Sequence, residues 1–156
     1  MFCGIKVVYD NLGYYMDRTL LIGSEERGML LFSSAIVFSA LICIIILFQA
    51  ALAIGMPWGE FAMGGKFPGK LPAPMRAACL VQIAVLAFLA LIVLSKAGII
   101  LPGWLEFAAV GIWFVVGFSV LSSILNIITR SVRERRIWAP VSVMMLITSL
   151  IVAIAV

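Results

Sequence analysis

Residues 29–54 read MLLFSSAIVFSALICIIILFQAALAI, 26 positions with no Asp, Glu, Lys or Arg among them. A hydrocarbon slab about 30 Å thick needs roughly 20 apolar residues of helix to cross it, so this stretch is long enough to span a bilayer on its own. Three further stretches meet the same requirement: 77–94, 105–128 and 138–156. Only one charged side chain enters any of them, Glu106, in the first turn of the third, where a carboxylate still reaches interfacial water.

Composition agrees with four spans. Of 156 residues 65% are apolar and 12% charged, and the mean hydropathy is +1.24. A soluble domain carries about a quarter of its residues charged, spread over its surface. Here the charges gather in short segments between the apolar runs, and those segments are the connections. The expected fold is an all-α polytopic membrane protein, a four-transmembrane-helix antiparallel bundle over 29–156 preceded by an extramembrane tail at 1–28. The tail shows no sustained period and is expected to be loosely ordered or interfacial, with Met16 an alternative start. Ser24 followed by Glu25 and Glu26 has the form of a helix N-cap. The tail is too long and too acidic for a cleaved signal, so the first span is expected to be an uncleaved anchor.

Chemistry-bearing residues are scarce. Histidine is absent, which removes the commonest metal ligand and the usual neutral-pH general base. Cys3, Cys43 and Cys79 form no close pair, and Cys43 and Cys79 read as small packing residues. No cofactor or metal is indicated. The net charge of +4 is concentrated between spans, which favours contact with anionic lipid over nucleic acid.

Lys and Arg divide unequally between the two sides. Lys6, Arg18, Arg27 and Lys96 fall on one; Lys66, Lys70, Arg76, Arg130, Arg133, Arg135 and Arg136 fall on the other. The positive-inside rule then places 55–76 and 129–137 in the cytoplasm and both termini outside.

The first connection, GMPWGEFAMGGKFPGKLPAPMR at 55–76, holds five glycines and four prolines and cannot be one helix. Its aromatic and basic residues suit the headgroup level, and its length suits a binding element or lid, with Trp58, Glu60 and Lys66 as candidate working groups. The basic run RSVRERR supplies Arg130, Arg133, Arg135 and Arg136 as headgroup contacts, with Glu134 expected to be paired on the surface and worth little.

Depth places a further set. Gln49 lies five residues before the end of the first span and Gln82 five after the start of the second, both roughly 8 Å below the first-loop face. Asn126 and Ser142 are slightly shallower on the same face. The four make one polar layer, expected to be joined by interhelical hydrogen bonds that set the register, or else to line a vestibule. Ser119, Ser122, Ser123 and Asn126 share a helical face and are expected to point inward. Ala35, Ser39 and Cys43 form a small-residue row suited to close helix approach.

The pattern PWG-x4-GG-x2-PG-x-LP from Pro57 to Pro72, with RERRIWAP from Arg133 to Pro140, resembles small four-span bacterial integral membrane proteins of uncharacterised function. The resemblance covers the spans and excludes the tail. It implies a bacterial cytoplasmic membrane and no particular activity.

Three functional classes fit unequally. A non-enzymatic structural or regulatory bundle, binding anionic lipid, a membrane protein or a second copy through 55–76 and 129–137, fits best. A small exporter would need an in-span carboxylate, and only Glu106 and Glu60 are near. A lipid-modifying enzyme would use Glu60 as base beside Lys66, with no second proton carrier.

Overall fold

A computed structural model describes the backbone of residues 2–155 and the side chains of 23–155. It consists of four helices: α1 Phe2–Ile54, α2 Ala73–Lys96, α3 Leu105–Ile128 and α4 Val132–Ile154. They form an antiparallel bundle in which α1 packs on α2 and α4, and α3 on α4 and α2. All four carry segments long and apolar enough to cross a membrane.

The bundle is apolar outside as well as inside. Phe32, Leu47, Val81, Val110, Phe114 and Ile124 are exposed on the outer faces, as side chains that meet lipid must be. The inner stripe of α1 runs Ala35, Phe38, Ile42, Ile45, Gln49, Leu52, alternating steps of three and four as in a coiled-coil seam. Ser39 and Cys43 sit one position off this seam, and Cys43 is exposed, so the expected row of small residues is not the packing line. Close approach occurs instead between α2 and α3, where a Cβ on Gly111 would lie 3.1 Å from Ile92. Cys79 is buried as expected.

Two helix ends are legible as Schellman stops. After α1, Gly55 N–H donates to the Leu52 carbonyl and Met56 N–H to Ala51, with Gly55 at φ +98°. After α2, Gly98 donates to Ser95 and Ile99 to Leu94, with Gly98 at φ +70°.

Three boundaries depart from expectation. The lead is helical and continuous with α1, so Ser24 lies within the helix and is not its N-cap; no proline interrupts residues 2–54 to end the helical run. α2 starts at Ala73, since Pro74 is tolerated in a first turn whose N–H groups need no helical partner. α4 starts at Val132, capped by Ser131, whose Oγ accepts from Glu134 N–H at 3.3 Å. The basic run is therefore helical from Val132 onward, and Pro140 lies inside α4.

Candidate functional site

Loop one, residues 55–72, folds back on itself before it meets the bundle. Gly59 N–H donates to the Gly69 carbonyl at 2.9 Å, closing the loop at its neck. Only glycine fits there, because a Cβ on residue 59 would lie 2.2 Å from the Phe67 carbonyl oxygen. Met63, Gly64 and Gly65 follow at φ +54°, +71° and +72°, and this left-handed run turns the Gly64 N–H toward α4.

The start of α4 receives it. Glu134 Oε2 accepts from Gly64 N–H at 2.7 Å and from Thr129 Oγ1 at 3.0 Å. Trp138 Nε1 donates to the Phe61 carbonyl at 2.8 Å, and Ser131 Oγ donates to the Glu60 carbonyl at 3.3 Å. Arg133 forms an ion pair with the Glu60 carboxylate. On the other side Arg76 Nε caps the Ala53 carbonyl at the end of α1. Loop one is thus fixed across the mouth of the bundle by contacts more than sixty residues distant in sequence.

Glu134 is the residue that sequence reasoning misplaced. It is 9% exposed and serves as the buried acceptor that docks loop one, not as a surface partner of the arginines. A signal existed: Ser131-x-x-Glu134 is a capping box, in which the N3 carboxylate ordinarily reaches back to the N-cap amide. Here the cap hydroxyl keeps its half of the box, and the carboxylate is diverted to Gly64. Its position in the first turn of α4 also suits the helix dipole.

Beneath the loop lies a cavity of about 170 Å³. Gln49, Gln82, Asn126 and Ser142, one from each helix, all line it, with Glu134 at its edge and Phe61, Ala62 and Met63 in its roof. They make no hydrogen bond with one another, because the cavity lies between them. Asn126 Nδ2 bonds to the Ser122 carbonyl and hydroxyl of its own helix, and Ser142 Oγ to the Ala139 carbonyl. The layer therefore does not set the register through interhelical bonds. Gln49 is nine-tenths buried and makes no hydrogen bond to a described residue, and its Oε1 is fully enclosed. Such an orphaned group costs about 1–3 kcal/mol. Of the inward face on α3, Ser119 and Ser123 are buried and Ser122 and Asn126 half-buried.

The remaining candidates lie on the outside. Trp58 stacks on Phe48 with its ring plane 9° off parallel, and it is 41% exposed. Lys66 lies 5.7 Å from the centre of the Phe67 ring and does not pair with Glu60. Arg130, Arg135 and Arg136 are exposed, with no ion pair among the described residues. Together with Lys66, Lys70, Arg76 and Arg133 they give this end seven cations against two carboxylates, both engaged. The opposite end has Arg27 and Lys96 against Glu25, Glu26 and Glu106 among the described side chains.

Fold and site together define a multi-pass integral membrane protein whose basic end is covered by a docked loop. No family model matches the chain, and neither a curated protein nor a solved structure does.

Proposed function

We propose that this protein is a non-enzymatic regulatory or structural bundle of a bacterial cytoplasmic membrane, whose loop one and α4 start act as one platform for anionic lipid or a membrane-protein partner. The observation that carries the reading is the joining of two basic segments into a single surface by the Glu60–Arg133, Gly64–Glu134 and Phe61–Trp138 contacts. A net surplus of cations on that face suits a cytoplasmic leaflet rich in anionic lipid. It also supports placing loops 55–76 and 129–137 inside and both termini outside. Glu60, held by Arg133, is poorly placed to serve as a free general base, so the enzymatic reading has less support.

The test is lipid retention. Purified protein carried through native mass spectrometry from mixed phosphatidylglycerol and phosphatidylethanolamine should keep phosphatidylglycerol preferentially. Replacing Arg130, Arg133, Arg135 and Arg136 together with Gln should remove that preference. Equal retention of both lipids by the unaltered protein would defeat the lipid reading. Orientation is tested on a chain whose own cysteines are replaced: single probes at Lys66→Cys and Arg133→Cys should be shielded in intact cells, and Lys96→Cys should label.

One observation favours an exporter as second reading, namely the buried Glu134 carboxylate at the cavity. Substrate-driven proton flux in vesicles that disappears in Glu134→Gln would promote it over the first.

A further inference from the structure

We propose that the cavity beneath loop one is a binding site for a small organic cation, an ammonium or alkylammonium group. The inference goes beyond the platform reading and does not depend on it, since it concerns the interior of the bundle and not its basic surface.

The lining determines the sign of the ligand. Glu134 is the single ionisable carboxylate in the wall, and no lysine or arginine lines the cavity. Its Oε2 is committed to Gly64 and Thr129, and its Oε1 makes no hydrogen bond to a described residue. A second acceptor is idle: Gln49 Oε1, fully enclosed on the facing wall of α1. Asn126 spends its Nδ2 on Ser122, which leaves its carbonyl oxygen without a partner as well. The Gln49 and Gln82 amides offer unengaged donors as well as acceptors, so the sign rests on the one charged group in the wall, Glu134, which calls for a donor or a cation.

The aromatic rings make the choice between them. Phe48, Phe61, Phe118 and Trp138 line the same space. Phe48 and Trp138 stand 4.7 Å apart, tilted by 56°, so two ring faces meet at an angle. Trp138 uses its N–H on the Phe61 carbonyl, so what the indole offers the cavity is ring surface and not a donor. Several aromatic rings beside one carboxylate suit an alkylammonium group, through cation–π attraction to the rings and charge pairing with the acid.

Size and access agree. A cavity of roughly 150 Å³ accommodates a ligand as large as benzene, and choline or tetramethylammonium is of that size; this one measures about 170 Å³. Gln82 lines the cavity yet is exposed, so the space reaches the outer surface of α2. An opening on a spanning helix near the headgroup level admits either a free organic cation or the ammonium of a lipid headgroup.

The experiment uses the full chain in nanodiscs of phosphatidylglycerol alone, titrated calorimetrically with choline and with its neutral carbon isostere, dimethylbutanol. Choline should saturate and bind at least about tenfold more tightly than the isostere. Glu134→Gln, whose amide oxygen still accepts from Gly64, should bring the two within about threefold. Because that variant touches the docked loop, Phe118→Leu on α3 provides a second arm remote from the roof, and it should weaken choline more than the isostere. Equal binding of choline and isostere, or no saturation by choline, overturns the proposal and leaves a neutral, water-filled polar cavity. Repeating the titration with phosphatidylethanolamine in the discs separates the sources. Competition assigns the site to a lipid ammonium, and unchanged choline affinity assigns it to a free cation. Loss of phosphatidylglycerol preference in the arginine variant would not alter either result.

Discussion

The two ends of this bundle join their helices by unlike means. At the α2–α3 end a short connection does the work: a Schellman stop at Gly98, left-handed Leu101 at φ +47°, and one turn of 3₁₀ helix at Pro102–Trp104. Its contacts are local, with Trp104 edge-on to Phe107 at 5.7 Å and Phe88 at 6.3 Å from the same ring. At the other end loop one is held by side-chain hydrogen bonds to α4 and covers a polar cavity. A hairpin needs only a turn such as the first, so the additional structure at the second end serves position rather than connection. That contrast can be broken or sharpened by single substitutions.

The largest effect is expected from Glu134→Ala. It leaves the Gly64 N–H and the Thr129 hydroxyl without their charged acceptor, and hydrogen bonds to ionised groups are worth about 1.5–3 kcal/mol each. Because both bonds end on the same oxygen their contributions do not add in full, and a loss of roughly 2–4 kcal/mol in detergent unfolding is expected, with faster tryptic cleavage after Lys66 and Lys70. Glu106→Ala, at the opposite end and exposed, should stay within about 0.5 kcal/mol. Equal losses at the two sites would erase the distinction between the ends.

Glycine offers a second pairing. Gly59→Ala drives a Cβ into the carbonyls of Phe67 and Gly69, 2.2 and 2.8 Å away, and backbone cannot swing aside as a flexible side chain does. It should cost about 1–3 kcal/mol and open the loop to protease. Gly98→Ala meets nothing within 4 Å, so only its left-handed φ opposes it, at roughly 1–2 kcal/mol. The discriminating readout is loop cleavage, which Gly59→Ala should raise and Gly98→Ala should not.

Trp138→Phe removes the donor to the Phe61 carbonyl while keeping a ring against Phe48. About 1 kcal/mol is expected, with a modest rise in loop cleavage. A variant as damaging as Glu134→Ala would mean that the indole anchors the loop by packing more than by its N–H.

How far the sequence leads differs between the same two regions. The spans follow from hydropathy and length, because these depend on composition along the chain alone. The layer of Gln49, Gln82, Asn126 and Ser142 was readable as a depth, since rise per residue is fixed. Its contacts were not, because depth says nothing of the separation between helices, and here a cavity intervenes. Glu134 was hidden for another reason. A carboxylate within RERR reads as a solvated member of a charge run, and its true partner, the Gly64 amide, lies seventy residues away on a loop whose path depends on three consecutive left-handed residues. Backbone donors carry no mark in a sequence.

The smallest expected effect is the most discriminating one, because it concerns the other carboxylate of the same platform. Glu60 and Arg133 make the ion pair that sequence inspection would single out, yet their side chains are 37% and 68% exposed. Water competes for both groups, and exposed pairs of this kind are worth about 0–1 kcal/mol. The contact that fixes residue 60 is the Ser131 hydroxyl donating to its backbone carbonyl, which a side-chain change leaves in place. Glu60→Gln should therefore shift unfolding by less than about 0.5 kcal/mol and leave loop cleavage unchanged, and Arg133→Gln should do the same. Raising the salt concentration should make no difference to loop protection, since the Glu134 contacts are buried and screened little. If Glu60→Gln freed the loop as readily as Glu134→Ala, the platform would be held by its surface charges, and docking would weaken with ionic strength.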